Sequence, residues 1–197
     1  MLKQLRLIVL FLALFSNAIQ AESTTAMTVE NSLETIRLWL EANAAPLNNE
    51  LNLPASTEDV SAFEAKAGLI LPSSVRAAYA VHDGEKVSSD GIFGTWRWLP
   101  LDEVLSNRQQ LLESGISWSG SVIPVLLSGG GDYYFVESVD TETGESQVFE
   151  WWHEQPTRDS KHPSFAAMLE NFAELLEQGQ YVYLPDELTG LIDRDDL

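Results

Sequence analysis

Three observations predict an α+β domain with a mostly antiparallel central sheet, helices packed against one of its faces and a closing C-terminal helix. Apolar residues recur at helical spacing up to about residue 82. From residue 91 to 153 they fall instead in short β-rich runs between glycine turns, and helical spacing returns after Ser164. Strands and helices do not alternate in the rhythm that parallel crossovers require. The chain has 197 residues, 45% hydrophobic and 10% aromatic, enough for one domain with its own core.

The elements follow in order. Val29, Leu33, Ile36 and Leu40, with Trp39 beside them, predict a first helix that starts near Thr28. Pro46 and Pro54 break the chain into a loop over 43–54. Ser56 and Asp59 form a capping signature before Val60, Phe63 and Ala67, and Gly68 suits a left-handed stop. Leu71-Pro72 turns the chain, Ser73 or Ser74 caps a third helix carrying Val75, Ala78, Tyr79 and His82, and Asp83-Gly84 ends it. Gly91–Leu99 reads as a strand or hairpin, and a helix follows from Leu101 to Leu112. Ser121–Ser128, Asp132–Val139 and Gln147–His153 form an antiparallel meander, turned at Gly129-Gly130-Gly131 and at Thr141–Gly144. Phe165, Met168, Leu169, Phe172, Leu175 and Leu176 line the last helix, from the Ser164 cap to Gly179. Residues 183–197 are an acidic tail, expected to be mobile.

Charge and composition exclude several functions. Eleven Lys and Arg face thirty Asp and Glu, a net charge of −19, so nucleic acid and anionic lipid are excluded as partners. No cysteine is present, which removes disulfides, thiol catalysis and Cys-ligated zinc. Residues 1–21 have the three parts of a signal peptide: Lys3 and Arg6, the nine apolar residues Leu7–Phe15, and small residues with Ala18 and Ala21 as candidate cleavage positions. Nine apolar residues are too few for a membrane anchor. The expected product is periplasmic or secreted. It consists of a spacer over 22–27, a domain over 28–182 and the tail.

The order of short motifs is similar to one family. Pro54-Ala55-Ser56 starts a capped helix, followed by Gly68, Leu71-Pro72, Tyr79, His82-Asp83-Gly84, Gly91, Phe93 and Gly94. Trp98-Leu99-Pro100-Leu101, Ile123-Pro124, Gly129-Gly130-Gly131-Asp132-Tyr133, Gln147-Val148 and Pro163-Ser164-Phe165 complete the series. It resembles the SUKH superfamily, and within it the Smi/Knr-type domain, over about residues 30–181. The resemblance implies an α+β fold and a non-catalytic protein-binding domain. Bacterial members neutralise toxin domains as immunity proteins, and fungal members act as regulatory hubs of cell-wall synthesis. A signal peptide departs from the usual cytosolic setting and turns the expectation toward a toxin acting in the cell envelope.

The candidate site residues concern a protein partner: Asp132, Tyr133, Trp96, Trp98, Trp151, Trp152 and Asp83. The glycine run lacks the Lys-Ser/Thr of a phosphate loop and reads as a hairpin turn, with Asp132 capping it or facing a partner. His82-Asp83 reads as a helix end, because adjacent helical residues do not face each other. No His pair has metal spacing, and the acidic loop 140–145 lacks a calcium pattern, so neither a metal nor a cofactor is expected. A hydrolase using Ser128, His82 and Asp83, or His82, Asp83 and Asp132, has no motif behind it. Trp96 and Trp98 share a strand face, whereas Trp151 and Trp152 must point to opposite faces. Exposed aromatics anchor protein interfaces and also stack on sugars, so a wall-glycan binder is the alternative to a module that occludes a basic toxin domain.

Overall fold

The computed structural model of the chain describes residues 2–155, 157–185 and 190–197; over 2–19, 21 and 22 the description covers the backbone. Helix α1 spans Leu2–Asn43, because no proline or glycine interrupts the chain before Pro46. The helix thus begins far upstream of Thr28. Ala18 and Ala21, the candidate cleavage positions, lie inside it where only the backbone is described. Val29, Leu33, Ile36 and Leu40 form its buried stripe, and Trp39 is half-buried. Among the described residues, no helix is long and apolar enough to cross a membrane.

A short helix α2, Ala45–Asn48, sits in the proline-broken loop. Helix α3, Thr57–Ala67, starts with a full capping box: the Ser56 hydroxyl accepts the Asp59 N–H at 3.1 Å, and the Asp59 carboxylate accepts the Ser56 N–H at 2.9 Å. Gly68 closes it in the left-handed conformation. Helix α4, Ser73–Tyr79, takes Pro72 as its N-cap, and Ser73 and Ser74 lie inside the first turn. The carboxylate that satisfies that turn is distant: Glu145 accepts the Ser74 N–H at 2.9 Å and the hydroxyls of both serines.

Five strands form one antiparallel sheet in chain order: β1 Trp96–Trp98, β2 Val122–Ser128, β3 Tyr133–Glu137, β4 Val148–Trp151 and β5 Arg158–His162. Pro124 cannot donate to a ladder, and a bulge between Pro124 and Leu126 accommodates it. Helix α5, Leu101–Glu113, links β1 to β2. In the β2–β3 turn, Gly131 alone of the three glycines takes a positive φ, 88°. Gly91 has a stricter role: its φ is 104°, and a Cβ there would stand 2.5 Å from the Trp96 carbonyl.

Helix α6, Phe165–Glu177, carries the expected stripe behind its Ser164 cap, with Leu175 half-buried. Trp98 joins the sheet to the helices, its ring 5.5 Å from Tyr79 and 6.1 Å from Phe165. The helices do not keep to one face. Trp98 points toward α4 and α6, whereas its neighbour Arg97 points the other way and pairs with Glu103 of α5 at 2.6 Å. On that second face Tyr133 donates to Asn107 of α5 at 2.8 Å, and Trp118 packs on Phe135 and Trp151. The expected mobile tail contains β7, Leu191–Asp193, paired with β6, Tyr181–Tyr183. Leu191 is fully buried and Arg194–Asp196 forms a final 3-10 turn. Residues 186–189 of that tail lie outside the described residues.

Candidate functional site

A cleft opens where the α6 side of the sheet reaches the edge of that helix. β1 and β3 are not adjacent, but β2 lies between them, and alternation carries Trp96 and Tyr134 to the same face. Their ring centroids are 4.5 Å apart at 60°. Phe93, Phe172 and Tyr181 close the other walls, and His162 and Asn171 add polar groups, leaving a cavity of about 120 Å³. Trp152, just past β4, stands outside this cavity with its ring 6.0 Å from Trp96 and perpendicular to it at 87°. It is 47% exposed, more than any other tryptophan among the described residues.

Carboxylates outnumber cations beside the cleft. Glu150 pairs with Lys161 at 2.6 Å and faces Tyr134, whose hydroxyl is pushed up by burial and by that carboxylate. Burial and the nearby Asp193 and Asp196 likewise raise the Tyr181 hydroxyl. Burial, with Lys161 alongside, holds His162 below its ordinary range, so its ring is neutral at pH 7.

A second concave region lies between α3 and α5, over Phe63 and Leu105. Asp59, Asp83 and Asp102 surround it. Asp83 is raised by burial first, then by the charges of Asp102 and Asp59, against the hydrogen bond it accepts from the Leu101 N–H at 2.9 Å. Asp83 is thereby the N-terminal cap of α5, whose own N-cap is Pro100. Its neighbour His82 turns to the Asn52 carbonyl at 2.9 Å.

The sequence-derived candidates are therefore divided. Trp96 and Trp152 come together at the cleft. Trp98 is fully buried in the core, while Trp151 and Tyr133 are buried on the opposite face, so none of these three presents its ring outward. Asp132 is also buried, accepting the His153 N–H at 2.9 Å, the His153 ring at 2.7 Å and the Ser128 hydroxyl at 2.9 Å. Burial would raise this carboxylate, but those donors hold it below its usual range. Ser128, Asp132 and His153 are not a nucleophilic triad: the carboxylate sits in the middle, and the serine has no imidazole to take its proton. Among the described residues, no group of His, Asp and Glu is arranged to hold a metal ion.

Two further features carry no local sequence signal. Tyr134, Tyr181 and His162 join the cleft only through sheet order and the return of the tail. Glu85 looks like a turn residue, yet it is fully buried and accepts the N–H groups of Trp98 at 2.6 Å and Ile92 at 3.1 Å and the Ser89 hydroxyl.

The positive side chains are mostly engaged within the chain. Arg37, Arg76, Arg97 and Lys161 pair with carboxylates. Lys86, Arg108, Arg158 and Arg194 donate to backbone carbonyls. Among the described residues from Ser23 onward, Lys66 is the cation left without such a partner, so the outward charge is overwhelmingly carboxylate.

Comparison with known families gives a match. The family model described as SMI1 / KNR4 family (SUKH-1) covers residues 54–171, more than half of the chain, from the start of α3 into α6 with the whole five-stranded sheet. No curated protein matches the chain.

Proposed function

The chain belongs to the SMI1/KNR4 (SUKH-1) family, and from that premise we propose a non-enzymatic, exported immunity or regulatory protein that binds and occludes a basic partner such as a toxin domain. The observation that carries this reading is the charge arrangement. Nearly every described cation from Ser23 onward is spent on a carboxylate or carbonyl of the same chain, whereas many carboxylates face water. A field of one sign attracts a basic protein from a distance and repels acidic competitors. The leader-like residues 1–21 carry two cations and no acid, so their removal takes the charge from −19 to −21.

The test is affinity capture with the processed chain, using envelope and secreted fractions of the source cell at low and high salt. N-terminal sequencing of the exported product defines the processing. The expected result is cleavage after residue 18 or 21 and a stoichiometric basic protein that is lost at high salt. Retention of glycan with no protein would instead make this a wall-binding protein.

A further inference from the structure

The rings at the mouth of the aromatic cleft are arranged as walls. Trp96 meets Tyr134 edge to face at 60°, and Trp152 stands beside the cavity, perpendicular to Trp96, with its outer side in water. Core packing does not explain Trp152, which leaves 47% of its surface in water. The negative face of an aromatic ring attracts a cation, and perpendicular rings surround one from several sides. The charges agree with this. Asp193 and Asp196 lie near Tyr181, the Glu150–Lys161 pair is neutral overall, and His162 is uncharged at pH 7, so the balance is negative. An anion would be repelled. The same chain already uses this chemistry internally, where the Arg158 guanidinium lies 4.5 Å from the centre of the Trp118 ring.

We propose that Trp96, Tyr134, Trp152 and Tyr181 form an aromatic cage for an arginine or lysine side chain presented by the basic protein partner. The inference rests on the partner reading above and locates its anchoring contact. It also accounts for two tryptophans, far apart in sequence, converging at one edge of an acidic molecule.

The experiment titrates the full chain, labelled with ¹⁵N at the tryptophan indoles, with a tetra-arginine peptide and with its neutral citrulline counterpart. The arginine peptide is expected to shift the Trp96 and Trp152 signals, leave the buried Trp98 and Trp151 signals in place, and bind far more tightly than the citrulline peptide. Trp152→Ala should weaken it about tenfold, with Trp152→Phe retaining most of the affinity. Trp152 is at the surface, so both variants should keep the thermal midpoint of the parent. Equal binding of the parent and Trp152→Ala, or of the two peptides, overturns the cage. So does a chito-oligosaccharide that shifts the two signals when the arginine peptide does not. The two readings fail separately. A basic protein captured equally by Trp152→Ala removes the cage and leaves the partner reading. Arginine binding in the cleft, with no basic protein captured from the cell, does the reverse.

Discussion

Glu85 and Asp132 are both buried carboxylates, and their surroundings push them in opposite directions. Burial raises Glu85 to about 7, more than its hydrogen-bond donors and the nearby Arg97 charge pull it down. Its unfolded value is about 4.3, so between the two values the native state holds a proton that the unfolded chain has lost. Its contribution is therefore complete below about pH 4.3 and is lost as pH rises through about 7. The loss amounts to about 4 kcal/mol. Asp132 is held below its usual range, so its contribution is present above the unfolded value and disappears as pH falls through the folded one. Stability should thus peak in mildly acidic buffer. Denaturant melts from pH 5 to 8 should show a declining ΔG that Glu85→Gln flattens, and Asp132→Asn should flatten the fall on the acid side. Glu85→Ala strands the N–H groups of Trp98 and Ile92 and should cost about 2–4 kcal/mol at pH 5.

Helix ends show which parts of the fold were legible in the sequence. The α3 box and the Ser164 cap are local, so residue types at fixed spacing declared them. The caps of α4 and α5 are not local. Glu145 comes from the β3–β4 connection, and Asp83 lies 18 positions before the N–H it accepts, so Ser73, Ser74 and Pro100 offered no true guide. Ser56→Ala should cost about 1 kcal/mol, and Glu145→Ala a similar amount, with Glu145→Gln recovering part of it; chemical denaturation measures both. The central strands β2, β3 and β4 were legible through apolar runs between glycine turns. β5 was not, because Arg158–His162 is polar throughout, as suits an edge strand protected against pairing with other chains. The site divides in the same way. Trp96 and Trp152 could be assigned to strand faces from alternation, but Tyr134, Tyr181 and His162 meet them only through strand order and the β6–β7 return.

At the scale of the whole molecule, one property acts with two signs. A net charge of −19 places like charges on a small folded surface, and that self-repulsion favours expansion. Salt screens it: at about 0.1 M the Debye length is about 10 Å, shorter than most separations across such a surface. The internal pairs respond less, since Arg97–Glu103 and Lys161–Glu150 close at 2.6 Å on largely buried carboxylates. Raising salt from about 20 to 500 mM should therefore raise the thermal midpoint by a few degrees. The same screening should slow association with a basic partner by about tenfold or more, because steering works through the long-range field. Dissociation should change much less, since a cation held against Trp96 and Trp152 is shielded from bulk ions by the rings themselves. Calorimetry and stopped-flow binding across one salt series separate the two effects. Opposite trends in midpoint and association rate are the signature of a charge that burdens the free protein and recruits its partner. If the midpoint fell with salt, attraction within surface ion pairs would outweigh the self-repulsion, and the acidic surface would lose its standing as the device that selects a basic partner.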